Sequence, residues 1–370
     1  MIRRTGHGGN RSASSQRTGI PEEKLIDFSA SISPRGVPGP VLRIMKKHVR
    51  DLPHYPEPFS EQLSRAIETR YKLERGSVIC GNGSTELIYL IPRALKPGNV
   101  LLPAPTFSEY ERACRTAGSS RIVHHVLEAK NDFALSPDAY IQAMAGVRKK
   151  GRGHAVQSQA RDMAVLCNPN NPTGQVLAKR EVMRIAAAAR RLKCYLVVDE
   201  AFADFCPENS VIDEVRNNPF LIVLRSLTKF YAIPGLRLGY CVAPLSIVST
   251  IGRYKEPWTV NTLAQHAGVA ALGAVSYQQA TRKTIQREKL FIEKGLARAG
   301  IEFIPSAANY YLVRSGNARK TAACLEKKGI LVRDCSNFTG MDAAYIRIAV
   351  RSRKENRVLM KELAGECGKE

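Results

Sequence analysis

Lys229 has the most chemistry open to it. It stands in the stretch Ser226–Tyr240, SLTKFYAIPGLRLGY, three residues after Ser226 and eight before Arg237. A lysine amine can form a Schiff base with an aldehyde, and reactive lysines need local tuning. Ser226 offers a hydroxyl donor, and Arg237 offers a rigid fork of donors suited to a phosphate. Lysine, hydroxyl and arginine together describe a seat for an aldehyde that carries a phosphate, and pyridoxal phosphate is such a molecule. Taken alone, the same stretch also reads as a surface lysine at a strand end, so its surroundings must decide.

Several other positions have chemistry to offer. Gly81–Thr85, GNGST, puts small residues ahead of a helix, whose free amides and dipole attract phosphate. An ordinary capped helix would look the same. Asn168–Gly174, NPNNPTG, forms a tight turn after a strand, from which the Asn171 amide can donate to a phenolate oxygen. Asp199 ends the apolar run YLVVD, and a carboxylate buried there must be paired. A protonated pyridine nitrogen would pair with it and keep the ring a strong electron sink. A salt bridge or helix cap would also satisfy it, and Glu200 beside it is less specific. Phe107, after PAPT, can stack on a ring or simply fill the core. Tyr55, within HYPEP, can reach a phosphate with its hydroxyl, and from an extended arm it would do so across a subunit boundary. Arg333 and Arg347 can each hold a carboxylate or phosphate bidentately, although most arginines in a chain with 56 basic residues lie on the surface.

These residues need elements to position them. From about residue 75 the pattern alternates strand and helix. Strands are expected at Ser77–Cys80, Asn99–Leu102, Arg121–Leu127, Met163–Cys167, Cys194–Asp199, Phe220–Leu224 and Leu236–Ala243. Alternation of this kind implies a mostly parallel sheet covered on both faces, with ligands gathered beyond the carboxyl ends of the strands. Gly83–Thr85, Asn171, Asp199 and Lys229 all fall just after a strand. Ahead of this region, Ser60 is a plausible N-cap for a helix at Ser60–Lys72, and GHGGN is too glycine-rich for regular structure. Lys149–Arg161 reads as a polar, basic loop. The expected organisation is an arm and connector (1–50), a large domain (51–243) and a smaller α+β domain (244–370).

Composition narrows the function classes. The chain has 370 residues and no apolar run long enough to span a bilayer, so no membrane role is expected. The basic N-terminus lacks an apolar core and is not a secretory signal; a transit peptide is the alternative. Nine cysteines are scattered singly with no CxxC pair, which points to a reducing cytoplasm, no disulfide framework and no zinc site. A formal net charge of +23 favours anionic partners. Without a zinc finger, RNP sequence or basic zipper, nucleic acid is not expected, and phosphorylated metabolites fit equally well.

Together these residues resemble the fold-type I pyridoxal-phosphate enzymes of the aspartate aminotransferase superfamily, over about residues 5–365. The resemblance is greatest to the branch holding histidinol-phosphate aminotransferase and threonine-phosphate decarboxylase. HGGN (His7–Asn10), DFSASISPRG (Asp27–Gly36) and DEAFADF (Asp199–Phe205) look like the decarboxylase. The resemblance implies an α/β fold whose large domain carries a mostly parallel seven-stranded sheet, a smaller α+β C-terminal domain, and a homodimer with shared sites. It implies that Lys229 binds the cofactor aldehyde, Asp199 its pyridine nitrogen and Asn171 its ring oxygen, with Phe107 stacked on the ring. Gly83, Ser84, Thr85, Ser226 and Arg237 would hold the cofactor phosphate together with Tyr55 of the partner subunit. Arg333 and Arg347 would take the anionic end of the substrate, with His7 nearby.

Two departures from the branch matter. Phe202 stands where aminotransferases commonly have a tyrosine that bonds the ring oxygen, which fits the decarboxylase better. Ser31 and Ser33 stand where asparagines are expected, so substrate contacts there are open. In this chemistry the Cα bond held perpendicular to the ring is the one that breaks, so the arginines choose between losing a proton and losing CO2. The expected reaction is decarboxylation of L-threonine O-3-phosphate to (R)-1-aminopropan-2-yl phosphate, a step of cobalamin biosynthesis. Serine phosphate differs by one methyl, worth only about 1–3 kcal/mol of discrimination. The alternatives are histidinol-phosphate transamination and, from another class, a nucleic-acid binder on an inactive enzyme fold.

Overall fold

In the computed structural model the described residues are 6–119, 121–150 (side chains to 147) and 160–365. A seven-stranded sheet forms the centre, ordered Val78–Asn82, Leu238–Val242, Leu221–Ser226, Tyr195–Asp199, Met163–Cys167, Asn99–Ala104 and Arg121–Val126. All pairings are parallel except the two made by Leu238–Val242. The central strands are apolar runs buried along their whole length, as a sheet covered on both faces requires. One face packs on Ile67, Tyr140, Ile185 and Ala267; the other packs on Leu87, Ile91, Tyr110 and Ile247. The strand-and-helix alternation expected from the sequence is therefore present.

A second, four-stranded antiparallel sheet is built from Arg333–Asp334, Tyr345–Ala349, Tyr310–Arg314 and Phe303–Ile304. Its core gathers Ile292, Leu296, Tyr311, Ile346 and Leu359. Phe28, from near the N-terminus, is fully buried in the same cluster. Strand Ile26–Asp27 pairs in parallel with Ile330–Leu331, so the arm is stitched to the C-terminal part of the chain. Helices Leu245–Gly252 and Thr262–Leu272, placed after the expected boundary at 244, pack instead on the two cores of the large sheet through Ile247, Ile251, Ala264 and Ala267.

Local expectations met mixed outcomes. Ser60 does not cap the helix Glu61–Tyr71: its backbone is left-handed (φ 58°) and its side chain makes no capping bond. Glu57 does the work instead, accepting from the Gln62 amide at 2.8 Å. The glycine-rich N-terminus leads into a helix, Arg11–Thr18, that apolar periodicity could not reveal. Asn10 starts it by accepting from the Ala13 amide, and Gly19 closes it in the left-handed region. Seven cysteines are free and buried, but Cys324 is disulfide-bonded, against the expectation of thiols alone. The stretch 149–161 lies mostly outside the described residues. Among the described residues, no helix is long and apolar enough to cross a membrane.

Candidate active site

At the carboxyl ends of the strands lies a cavity of about 640 Å³. Lys229 enters it from the loop after strand Leu221–Ser226, and its Nζ donates to Thr228 Oγ1 at 2.9 Å. Burial, then the nearby Arg237 guanidinium, lower its ammonium to about 8, with Asp199 opposing and Arg347 reinforcing the shift. Ser226 does not line the cavity. Its buried hydroxyl lies 2.7 Å from Thr228 Oγ1, so it stands behind the lysine.

Asp199 ends its strand 3% exposed and faces the same cavity. Its Oδ2 accepts from the Tyr110 hydroxyl at 2.7 Å, and its Oδ1 from the Ala201 amide at 2.9 Å. Burial raises its carboxyl above the ordinary value, opposed by those two donors and by the Lys229 charge. Tyr110 belongs to helix Glu109–Thr116, and Phe107, just before that helix, meets it edge-on at 5.6 Å. Phe107 also lies 5.5 Å from the His7 ring.

The phosphate-type cradle forms where two elements meet. Helix Ser84–Leu95 starts without a side-chain cap, which leaves its first amides free of one. Gly83 precedes it at φ 76°, and a Cβ there would sit 2.6 Å from Arg237 Nη2. Glycine is therefore needed on two counts: a backbone shape that side chains disfavour, and the close guanidinium. Ser84, Thr85 and Arg237 line the cavity beside it.

On the opposite wall, Arg347 donates to Asn171 Oδ1 and, at 2.9 Å, to the Ser29 carbonyl. With its oxygen taken, Asn171 presents its amide N–H groups. Arg333 lies over the Phe338 ring at 5.0 Å and donates to Asn337 Oδ1 at 2.7 Å. Burial, and more weakly the charge of Arg347, lower the Arg333 pKa. His7 Nε2 lies 2.8 Å from Glu109 Oε1, and Glu109 Oε2 accepts from Tyr89 at 2.6 Å. Phe202 is buried, edge-on to Tyr310 at 5.0 Å, and lines the cavity without a hydroxyl.

The structure thus brings the sequence candidates into one cavity, with Gly83 and Ser226 just behind its wall. Tyr55 is the exception: it is 86% exposed and tilted against Trp258 at 5.4 Å, away from its own chain's site. Sequence reasoning missed Tyr110, Glu109, Arg11 and Arg351, all at or beside the cavity. Arg351 was detectable, standing four residues beyond Arg347 at a strand's end, and Glu109 by its place in a buried turn of helix.

Comparison with known proteins agrees with this geometry. Residues 39–363 match the family model described as aminotransferase class I and II. The threonine-phosphate decarboxylase of Salmonella typhimurium is 34% identical over 364 residues, 96% of this chain and 95% of that protein. Among solved structures, the histidinol-phosphate aminotransferase from Clostridium acetobutylicum superposes with a TM-score of 0.83 at 28% identity, covering 92% of this chain and 98% of that one. The L-threonine-O-3-phosphate decarboxylase from Porphyromonas gingivalis gives 0.77 at 27%, covering 91% and 97%. The chain therefore belongs to the aminotransferase class I and II family of pyridoxal-phosphate enzymes, in the fold-type I architecture that its lysine, acid and glycine-led helix implied.

Proposed function

We propose that this enzyme decarboxylates L-threonine O-3-phosphate, releasing CO2 and (R)-1-aminopropan-2-yl phosphate. One observation carries the choice: the cavity lining carries more guanidinium than carboxylate groups. Arg11, Arg237, Arg333, Arg347 and Arg351 line it, with Arg351 paired to Glu355, while Asp199 and Asp27 are the acids among the lining residues. Asp27 is already committed to Ser29. Such a lining suits a small substrate with two anionic ends better than one ending in an imidazole.

The residues present fit the cofactor. The uncapped helix start beside Gly83 and Arg237 suits its phosphate, and the buried Asp199 suits a cationic ring nitrogen. Ser31 Oγ and Arg347 Nε, both in cavity-lining residues, are buried without a partner among the described residues. When bound, the cofactor supplies an electron sink for the bond broken at Cα. Lys229, with its ammonium lowered to about 8, holds a larger share of free amine near neutral pH than an ordinary lysine, and that amine would receive the aldehyde and carry a proton to Cα. Tyr110 and the Ala201 amide hold Asp199 at the cavity, where it would accept from the ring nitrogen. Asn171, turned by Arg347, would donate to the ring oxygen alone, because Phe202 has no hydroxyl to add. Arg333 and Arg347 would hold the substrate phosphate and leave its carboxylate unclamped and free to depart. Orientation of this kind is worth about 7–11 kcal/mol in well-organised cases.

The proposal includes a homodimer in which Tyr55 reaches the neighbouring chain's cofactor phosphate. Exposed apolar side chains support it: Leu42, Val49, Leu52, Tyr55, Phe59 and Trp258 are each more than two-fifths exposed, and Tyr55 lies against Trp258. Histidinol-phosphate transamination is the second reading, favoured by the 0.83 superposition. A product assay tests the choice. Decarboxylation predicts CO2 and aminopropanol phosphate from threonine phosphate with no keto-acid acceptor. Stoichiometric amino exchange that depends on 2-oxoglutarate, without CO2, overturns it.

A further inference from the structure

A second group of side chains with ligand chemistry lies outside the cavity. His48 is the last residue of helix Gly39–His48, and Asp51 follows in the single turn Val49–Asp51. His266 stands on helix Thr262–Leu272, which packs along the first helix. His48 Nδ1 lies 2.5 Å from Asp51 Oδ2. The two imidazoles stack, with centroids 3.7 Å apart and planes 17° apart. One ligand atom from each residue falls within 4.8 Å of the other two, and all three residues are half-buried.

We propose that His48, Asp51 and His266 form a binding site for a divalent transition cation such as Zn²⁺, Co²⁺ or Ni²⁺. Two imidazoles and one carboxylate are the donors such ions prefer, whereas Mg²⁺ and Ca²⁺ call for oxygen alone. A tetrahedral ion with bonds of about 2.0–2.2 Å wants ligand atoms about 3.3 Å apart. The His48–Asp51 pair must therefore open by about 1 Å, and the widest pair close by no more than about 1.5 Å. The sequence makes that closure small. Asp51 is three residues from His48, and His266 is fixed on the packed neighbouring helix. The C-terminal end of helix Gly39–His48 presents its negative pole to the site, which favours a cation there despite Lys46 and Lys47. An ion lies in the plane of each imidazole it binds, so the stacked rings must separate, with His266 turning about its side-chain bonds. Water fills the remaining positions. The ion would tie together two helices beside the exposed Val49 and Leu52, and the site does not depend on which reaction the cavity performs.

The test uses tag-free, cofactor-loaded, full-length protein freed of metal with a chelator. Co²⁺ is titrated in and followed by its visible d–d bands, and Zn²⁺ by calorimetry. One ion per chain is expected, with binding weakened at least about tenfold in both His266→Gln and Asp51→Asn. Metal-free unfolding midpoints of the variants, compared with the parent, show whether each remains folded, and either variant alone suffices. Absence of saturable binding, binding unchanged in a folded variant, or equal binding of Mg²⁺ overturns the proposal.

Discussion

The Tyr110 hydroxyl donates to Asp199 at 2.7 Å, joining a helix that starts just after Phe107 to the acid at the end of the neighbouring strand. The acid is buried, and burial alone would drive it toward the neutral form. Tyr110→Phe removes one of its two donors and leaves the carboxylate harder to keep ionised. Losing such a bond costs about 1–3 kcal/mol, so the cofactor dissociation constant should rise roughly fivefold to 150-fold. Fluorescence titration of apoprotein with pyridoxal phosphate measures it, and unchanged affinity would remove Tyr110 from the site's machinery.

Lys229 should impose a pH signature. Its ammonium is lowered from the usual 10.5 to about 8 by burial and by Arg237. Below about 8 the amine is charged in both folded and unfolded chains, and the cost of burying that charge is present in full. As pH rises from about 8 toward 10.5, the unfolded chain holds the proton that the folded chain has released. The lysine therefore adds to apoprotein stability across that window. Cofactor uptake should quicken as pH approaches 8 and then level off. Lys229→Met should abolish both trends, along with fixation of the cofactor by borohydride. Urea midpoints and stopped-flow absorbance at several pH values read them.

Behind the site, Arg225 donates to Glu200 at 2.9 Å and to Asp204 at 2.7 Å, with Arg225 and Glu200 almost wholly buried. Glu200 also accepts from Ser210 and the Val211 amide, so the acid beside Asp199 is a structural anchor. Arg225→Ala should cost about 3–5 kcal/mol, because it strands a buried charge. The denaturant midpoint is the readout. A loss under about 1 kcal/mol would mean that water or a shifted side chain replaces the guanidinium.

Tyr55 offers a test of assembly. Chains carrying Tyr55→Ala should bind the cofactor about tenfold more weakly, as expected for one lost bond to a charged group. Chains carrying Lys229→Ala should be inactive. Assayed at a cofactor concentration too low to load the Tyr55→Ala chains, the two refolded together should regain activity that neither shows alone, because a mixed dimer holds one intact site. If mixing recovers nothing, Tyr55 does not serve the neighbouring chain.

Much of this was legible beforehand. Asn171, Asp199 and Lys229 follow apolar runs that can only be buried strands, and strand ends are where such sheets bind ligands. Tyr110 was not legible: a tyrosine on an apolar helix face looks like core, and its bond to Asp199 depends on neighbouring elements 89 positions apart in sequence. Ser60 misled because a serine ahead of a helix signals a cap, yet the left-handed turn at that residue hands the role to Glu57. The Arg11–Thr18 helix was hidden because it has almost no apolar face and rests on its capping groups and on Arg17 meeting Glu326.

The pairing of Ile26–Asp27 with Ile330–Leu331, and of the Ser29 carbonyl with Arg347, bears on how the protein is made. The earlier segment has no resting place until residues about 300 positions further on have been made. The large sheet can form earlier, but the cavity wall that carries Arg347 closes only after residue 347 has been added. A chain truncated before Arg347 would therefore keep a folded centre and lack that wall.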